Sequence, residues 1–536
     1  MSHMRLLRDF WPGHEKDRTK GPARGVRRAT TSLRPRAVAE TVFWALLAAL
    51  ALIPVFVAQI PAMADYPNHL ARMHLLARDA AGDAHPFYQT AWRADPNLAM
   101  DILIPFAAKA LGVETAMRAF LLLSQLLILS GSIAIEQVVK GRISVSPFVG
   151  GIFLYSLPFA WGFLNFEFGI GLALWGFAAM VMVRDSPWPT RLVIHTMFCA
   201  FLFAAHFYAF GVYGAALGFY ELWRITTSRL SPEIVLCRLV LLATPAVILV
   251  VLMAFAGGAV GGEGMRWYFS AKPLWLFLVL NGYNFTISAL SGGVLLCFIV
   301  AACRRGVLRL VGAGPWLAGG FAALFLLIPG RLFDTSFADV RIIPAVALIL
   351  PAFMSFSFPN RIWRYAAVSI SSVIAIVNLA LVLFVWTSYN EEYKTLVESF
   401  GRLDKGARVL VAHSGQALDP PILDLGQYPI YNAPTLAVHY ADAFVPSLFT
   451  AKGKQPLSVH ERVRALDIPY GAPAPNALLK SVAEGEGREL APIYIRNWPQ
   501  DYDYLYVVGP LTANPMPALL EQLCHGSRFV LYRIRK

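Results

Sequence analysis

Residues 64–76, ADYPNHLARMHLL, follow directly on an apolar run at 41–60 and carry Asp65, Asn68, His69, Arg72 and His74. Pro67 suits the first turn of a helix, and Asp65 or Asn68 can cap it. On that helix His69 and Arg72, three apart, share a face, and His74 lies off it. A carboxylate at the edge of a bilayer is partly desolvated. That raises its basicity and makes Asp65 a candidate general base. The plainer alternative is a helix cap with neighbours that face headgroups. Asp101, in NLAMDILIPF, is a second candidate catalytic carboxylate and equally a residue that simply starts a helix.

Other candidates for binding a substrate come from separate hairpins. Asn165 and Glu167 occupy the turn WGFLNFEFG, where a carboxylate beside an apolar span is costly unless paired or wetted. His206 and Tyr208 lie in AAHFYAFG, with a packing role as the bland reading of the histidine. Arg266 and Lys272 flank one loop; Arg331 and Arg341 bracket RLFDTSFADVR, with Asp334 and Asp339 as partners. The planar guanidinium fork suits phosphate, so the two arginines are candidate phosphate clamps, against the alternative of a loop ion-pair set. GGAVGGEG lacks the Gly-Lys-Ser/Thr ending of a phosphate loop and reads as a flexible segment.

The elements that position these groups follow from composition. Over 536 residues, 57% are hydrophobic and 15% charged, in long apolar blocks, which predicts a polytopic membrane protein. The net charge of +13 sits largely in short segments between blocks and reads as an orientation signal, and nucleic acid is not an expected partner. The expected fold is an all-α multispan bundle of about eleven transmembrane helices with a C-terminal extracytoplasmic α/β domain. Residues 1–40 form a basic cytoplasmic arm, 41–388 the membrane domain with a first outer loop at about 61–114, and 389–536 the soluble domain. Spans are expected near 41–60, 115–138, 147–160, 166–183, two within 192–222, 239–255, 288–303, 317–328, one ending before Asn360, and 365–387. This threading gathers the Lys and Arg clusters on one face and the Asp, His, Asn and aromatic segments on the other.

In the tail, ARVLVAH, YDYLYVVG and RFVLYRI read as strands between Pro-rich and Gly-rich turns. The five cysteines support neither a disulfide framework nor a zinc site, and a divalent metal is left open.

A cytoplasmic N-terminus, one span, an acidic residue heading a long first outer loop, many further spans and an outer α/β domain together resemble the GT-C superfamily of integral-membrane glycosyltransferases. ADYPNHLAR resembles the Asp-Glu-x-x-x-(Tyr/His)-x-x-x-Ala-Arg pattern of the bacterial aminoarabinose and mannosyl transferases, with Tyr66 where many members carry a second acidic residue. WGFLNFEFG and HFYAFG look like motifs of little-characterised bacterial multispan proteins of this layout. The resemblance implies an inner-membrane enzyme whose donor is a polyprenyl-phosphate sugar and whose acceptor is an envelope glycan, lipid or protein. It also implies that Asp65 is the base of an inverting transfer. Arg331, Arg341, Arg266 or Lys272 would then stabilise the departing lipid phosphate. The tail aromatics Tyr428, Tyr431, Tyr440 and Trp498 are candidates for the acceptor or for core packing. The rival readings are a flippase for a lipid-linked saccharide and a non-catalytic partner of a polysaccharide assembly machine; against the flippase, the chain shows no matching halves and no polar groups grouped at the midplane.

Overall fold

The computed structural model describes residues 35–93, 95–142, 146–228, 230–255, 265–332, 335–415, 429–469, 471–509 and 513–536. Most of the basic arm, the glycine-rich segment at 257–264, Asp334 and Tyr428 lie outside them. The chain begins with α1 (Pro35–Val57), α2 (Tyr66–Asp79), α3 (Ala99–Leu111) and α4 (Val113–Lys140). It continues with α5 (Pro147–Gly151), α6 (Leu157–Trp161), α7 (Leu164–Met182), α8 (Trp188–Ala205), α9 (Phe207–Thr227) and α10 (Pro232–Phe255). After these come α11 (Lys272–Leu278), α12 (Phe285–Arg304), α13 (Gly314–Leu327), α14 (Ile342–Ile349) and the long α15 (Arg361–Ser399), and five short strands lie between helices: β1 (Tyr88–Thr90), β2 (Leu308–Leu310), β3 (Arg331–Leu332), β4 (Thr335–Ser336) and β5 (Met354–Phe356).

Among the described residues six helices are long and apolar enough to cross a membrane: Val113–Lys140, Leu164–Met182, Trp188–Ala205, Pro232–Val251, Phe285–Arg304 and Arg361–Arg402. Three shorter apolar helices, Val42–Val57, Gly314–Leu327 and Ile342–Phe353, accompany them. The span expected at 147–160 is not one helix. Pro147 and Pro158 each open a short one, and the chain between α5 and α6 is irregular. Proline lacks the amide that an interior helical hydrogen bond needs, which favours a break here, although Pro54, Pro105 and Pro245 stay inside α1, α3 and α10. Breaking a helix inside an apolar layer frees backbone groups that must be met by protein. Here Asn378, from the middle of α15, donates to the carbonyls of Ile152 (3.2 Å) and Leu280 (3.1 Å), and the Leu157 amide donates to Val279 O at 2.9 Å.

The centre of the bundle is the pair α4 and α7, which run in the same direction. A Cβ on Gly171 would stand 2.5 Å from Leu127 Cβ, and one on Gly131 2.7 Å from Leu174 Cβ, so glycine is required for this approach. Both helices lead away from the Asp65 end, toward Lys140 and Arg184. Chain reversal at His206 then brings α8 back to the Asp65 end and sends α9 away from it.

Beyond α15 lies a five-stranded sheet ordered β10-β11-β9-β6-β8, from β6 (Val409–His413), β8 (Ala474–Pro475), β9 (Tyr504–Val508), β10 (Leu520–His525) and β11 (Phe529–Ile534). β6 runs parallel to β9 and β8, with Val409 opposite Tyr504, and β11 runs antiparallel to β9, with Phe529 opposite Val508. Tyr504, Leu505, Tyr506, Val507 and Val508 are all buried, as a central strand covered on both faces requires.

The sheet region is joined to the first loop at many points. β1 (Tyr88–Thr90) pairs with β7 (Leu457–Val459), Asn68 Nδ2 donates to Ser447 O at 3.2 Å, and the Phe449 amide donates to Asn68 Oδ1 at 2.8 Å. Arg78 pairs with Asp442 at 2.5 Å, and Tyr440 donates to Glu114 Oε1 at 2.6 Å. These contacts bring the C-terminal region over the end of the bundle where Asp65 sits.

Candidate active site

Asp65 stands between α1 and α2, and its position is fixed by backbone. The Ala64 amide donates to Ala160 O (3.2 Å) and the Asp65 amide to Trp161 O (2.9 Å), both in α6. Behind them Tyr283 donates to Ala62 O at 3.0 Å and receives Trp386 Nε1–H at 2.9 Å. Gly162 follows α6 at φ +84, and an added Cβ would lie 3.2 Å from the Asp65 amide nitrogen, so both conformation and space call for glycine. Its carbonyl lies 3.2 Å from His69 Nε2.

Asp65, His69, Asn165, His206, Tyr208 and Arg341 all border one cavity of about 570 Å³. Its remaining walls come from Trp161, Phe163, Phe337 and, in the C-terminal region, His413, Tyr431, Asn432, Phe449, Lys454 and Gln455. Asn165 is held in place by its own bonds, donating to Asn97 O at 2.6 Å and accepting the Met100 amide at 2.8 Å. Tyr208 donates to Leu332 O at 2.8 Å.

Arg341 is the cation placed to meet an anion in this space. Its guanidinium carbon lies 4.2 Å from the Phe163 ring centre, 4.9 Å from that of Tyr208 and 5.3 Å from that of Phe166. Such ring faces hold a cation without neutralising it. Nη1 is 3.2 Å from His206 Nε2, Nη2 reaches Ser336 O at 3.5 Å, and Nε is buried with no hydrogen-bond partner. Burial lowers the Arg341 pKa to about 10, against the opposing pull of Tyr208, Asp65 and Glu167, so the group stays cationic at neutral pH.

Desolvation raises the Asp65 pKa to about 7, with the charges of Arg341 and Arg72 pulling it back down. Burial, followed by the neighbouring arginine charge, pushes His69 and His206 well below the ordinary histidine range, so both rings are neutral at pH 7. A carboxylate with pKa about 7 is matched to taking a proton near neutrality. If Asp65 acts as a base it must be ionised, so turnover is expected to rise with pH and level off above about 7. A pH profile of kcat/KM in reconstituted vesicles checks this; a rate that falls over the same interval contradicts it.

Several residues expected at the site are committed elsewhere. Asp101 does not border the cavity. Its carboxylate pairs with Arg72 (Nε to Oδ1 2.9 Å), both side chains being 1% exposed, so this is a buried brace between α2 and α3. Losing one partner of such a pair leaves an uncompensated charge. Asp101→Asn is therefore expected to cost about 3–5 kcal/mol of stability, read as a lowered thermal midpoint in detergent. An unchanged midpoint would show that the pair carries no load.

Lys272, expected as a phosphate ligand, donates to Phe325 O (2.6 Å), Ile328 O (2.8 Å) and Asp339 Oδ2 (2.8 Å). An ammonium has three donors, and all three are used. This removes Lys272 and Asp339 from the candidate set. Arg266 and Arg331 exchange backbone hydrogen bonds at 3.1 Å, and neither borders the cavity. Glu167, in the first turn of α7, is 5% exposed and does not border the cavity.

The contributions of His413, Asn432, Phe449, Lys454 and Gln455 were not anticipated. Asn432 donates from Nδ2 to Ala64 O at 2.9 Å and to Asp65 Oδ1 at 3.5 Å. Of the tail aromatics, Tyr431 borders the cavity, Tyr440 is spent on Glu114, and Trp498 is fully buried, with Nε1 bonded to Leu479 O.

Tyr66 is buried beside Asp65, and among the described residues no three His, Cys, Asp or Glu side chains group as metal ligands.

No protein-family model and no curated protein matches the chain. In structure it is similar to ArnT from Cupriavidus metallidurans bound to undecaprenyl phosphate, over 93% of this chain and 98% of that one, with TM-score 0.49 and 12% identity. It is similar to the apo state of the same protein over the same shares, with TM-score 0.48 and 11% identity. A mutant of the arabinofuranosyltransferase AftD from Mycobacteria aligns over 92% of this chain and 42% of that one, with TM-score 0.45 and 14% identity.

Proposed function

We propose that this chain is an inverting glycosyltransferase of the GT-C type that moves a sugar from a polyprenyl-phosphate donor to an acceptor on the extracytoplasmic side of a bacterial inner membrane. In this reading the N-terminus is cytoplasmic and the sheet region extracytoplasmic. The observation that carries it is the placement of one basic carboxylate, Asp65, and one unneutralised guanidinium, Arg341, on a single cavity at the end of the apolar helices.

The chemistry needs those two groups. Asp65 takes the proton of the acceptor hydroxyl as its oxygen attacks the anomeric carbon from the face opposite the leaving group. The bond from that carbon to the phosphate oxygen breaks, and the electron pair leaves with the lipid phosphate. Arg341, 4% exposed, meets the charge that develops there, and a fixed, buried cation stabilises it more than one in solution would. The apolar helices beside the cavity take the isoprenoid tail.

Reconstituted protein supplied with an undecaprenyl-phosphate sugar and an outer-envelope extract is expected to release free undecaprenyl phosphate. Movement of intact donor between leaflets with no bond cleavage would instead make the chain a flippase.

A further inference from the structure

The C-terminal wall of the cavity combines an aromatic plane and two side-chain amides with one cation, Lys454. Its side chains come from the end of β6 (His413), from the turn after residue 429 (Tyr431, Asn432) and from the segment before β7 (Lys454, Gln455). The His413 and Tyr431 rings stack at 5.5 Å with planes 24° apart. Burial lowers the His413 pKa, and its Nδ1 accepts the Gly415 amide at 3.1 Å, which puts the ring proton on Nε2.

Asn432 is 6% exposed, and its amide orientation is set by two acceptors, Ala64 O and Asp65 Oδ1, both of which face Nδ2. Its Oδ1 is therefore an acceptor, and it has no partner; Gln455 Oε1 is in the same state. A buried acceptor left empty is costly, and an O–H group satisfies it. Among the other unmet atoms of the lining, Arg341 Nε is a donor and His69 Nδ1, whose ring proton on Nε2 faces Gly162 O, is an acceptor. The guanidinium thus asks for an anion, and the empty amide oxygens for hydrogen-bond donors beside an aromatic plane.

We propose that the Tyr431–Asn432 wall is the acceptor subsite and that the acceptor is a saccharide, its ring packed on Tyr431, one hydroxyl donated to Asn432 Oδ1, and the adjacent attacking hydroxyl left to give its proton to Asp65. The inference rests on the glycosyltransferase reading. It assigns Asn432 as a positioning residue that orients both the Asp65 carboxylate and the incoming saccharide.

The test uses the full chain in detergent, with maltotetraose and chitotetraose as glycan probes and undecaprenyl phosphate as the lipid probe. Saturation-transfer NMR is expected to show at least one tetrasaccharide bound. Tyr431→Ala should weaken that binding tenfold or more, Tyr431→Phe should retain it, and both should bind undecaprenyl phosphate as the parent does. The inference is overturned if neither tetrasaccharide binds, if Tyr431→Ala leaves glycan binding intact, or if it weakens lipid binding equally. Undecaprenyl phosphate that fails to bind, with Tyr431-dependent glycan binding intact, defeats the transferase reading alone; the reverse defeats the saccharide subsite alone.

Discussion

Asp65→Asn is expected to lower sugar transfer by about 10²–10⁴-fold, the range that loss of a positioned general base usually produces. The substitution keeps the shape of the side chain and the reach of Asn432 Nδ2 to Oδ1, and it removes only the capacity to take a proton. Because the Asp65 carboxylate has no ion-pair partner within reach among the described residues, the fold does not depend on its charge. Thermal stability and undecaprenyl phosphate affinity should therefore stay near the parent values while kcat collapses. A variant that keeps full turnover would end the assignment of Asp65 as base. A variant that fails to fold would instead make Asp65 a structural brace like Asp101.

Arg341→Gln is expected to cost about 10²–10³-fold in kcat, comparable with removing a fixed donor from an oxyanion site. Glutamine can reach the same wall, but it brings no charge to the leaving phosphate. Arg341→Lys should recover little, because a compact ammonium neither spans the Phe163, Phe166 and Tyr208 rings nor offers the guanidinium fork. Donor sugars with better leaving groups should narrow the gap between Arg341→Gln and the parent, since less charge then needs stabilising. An equal loss for every leaving group would mean that Arg341 only shapes the cavity.

The sequence pointed to Asp65 because an Asp followed by Pro and Asn, directly after an apolar run, is a local pattern that survives without tertiary information. Arg341 could be read as one of four cations near the outer ends of helices, and no further. What separates it from Lys272, Arg266 and Arg331 is which partners each finds. Asp339 and two helix-end carbonyls claim Lys272 across more than fifty residues, and no local pattern encodes that.

The Asn432 contribution was hidden for the same reason, since it reaches Asp65 across 367 positions. The broken segment at 147–161 was partly legible: Pro158 falls inside the stretch read as one span, where it costs a helix one hydrogen bond, yet Pro54, Pro105 and Pro245 sit inside unbroken helices. Counting apolar residues outweighed that signal. The break also positions the site, because α6 and Gly162 supply the carbonyls and the turn on which Asp65 and His69 rest. The strands of the tail fared better. ARVLVAH, YDYLYVVG and RFVLYRI contain β6, β9 and β11, since continuous apolar runs bounded by turns signal buried strands.

The central claim is that Asp65 and Arg341 serve one lipid-phosphate substrate in one cavity. A cryo-electron microscopy structure of the full chain with undecaprenyl phosphate tests it most directly. The account predicts density for the phosphate within hydrogen-bond distance of the Arg341 guanidinium, with the tail leaving among the apolar helices. Phosphate bound instead at Arg266 or Arg331, or a cavity that stays empty at saturating lipid, would contradict it.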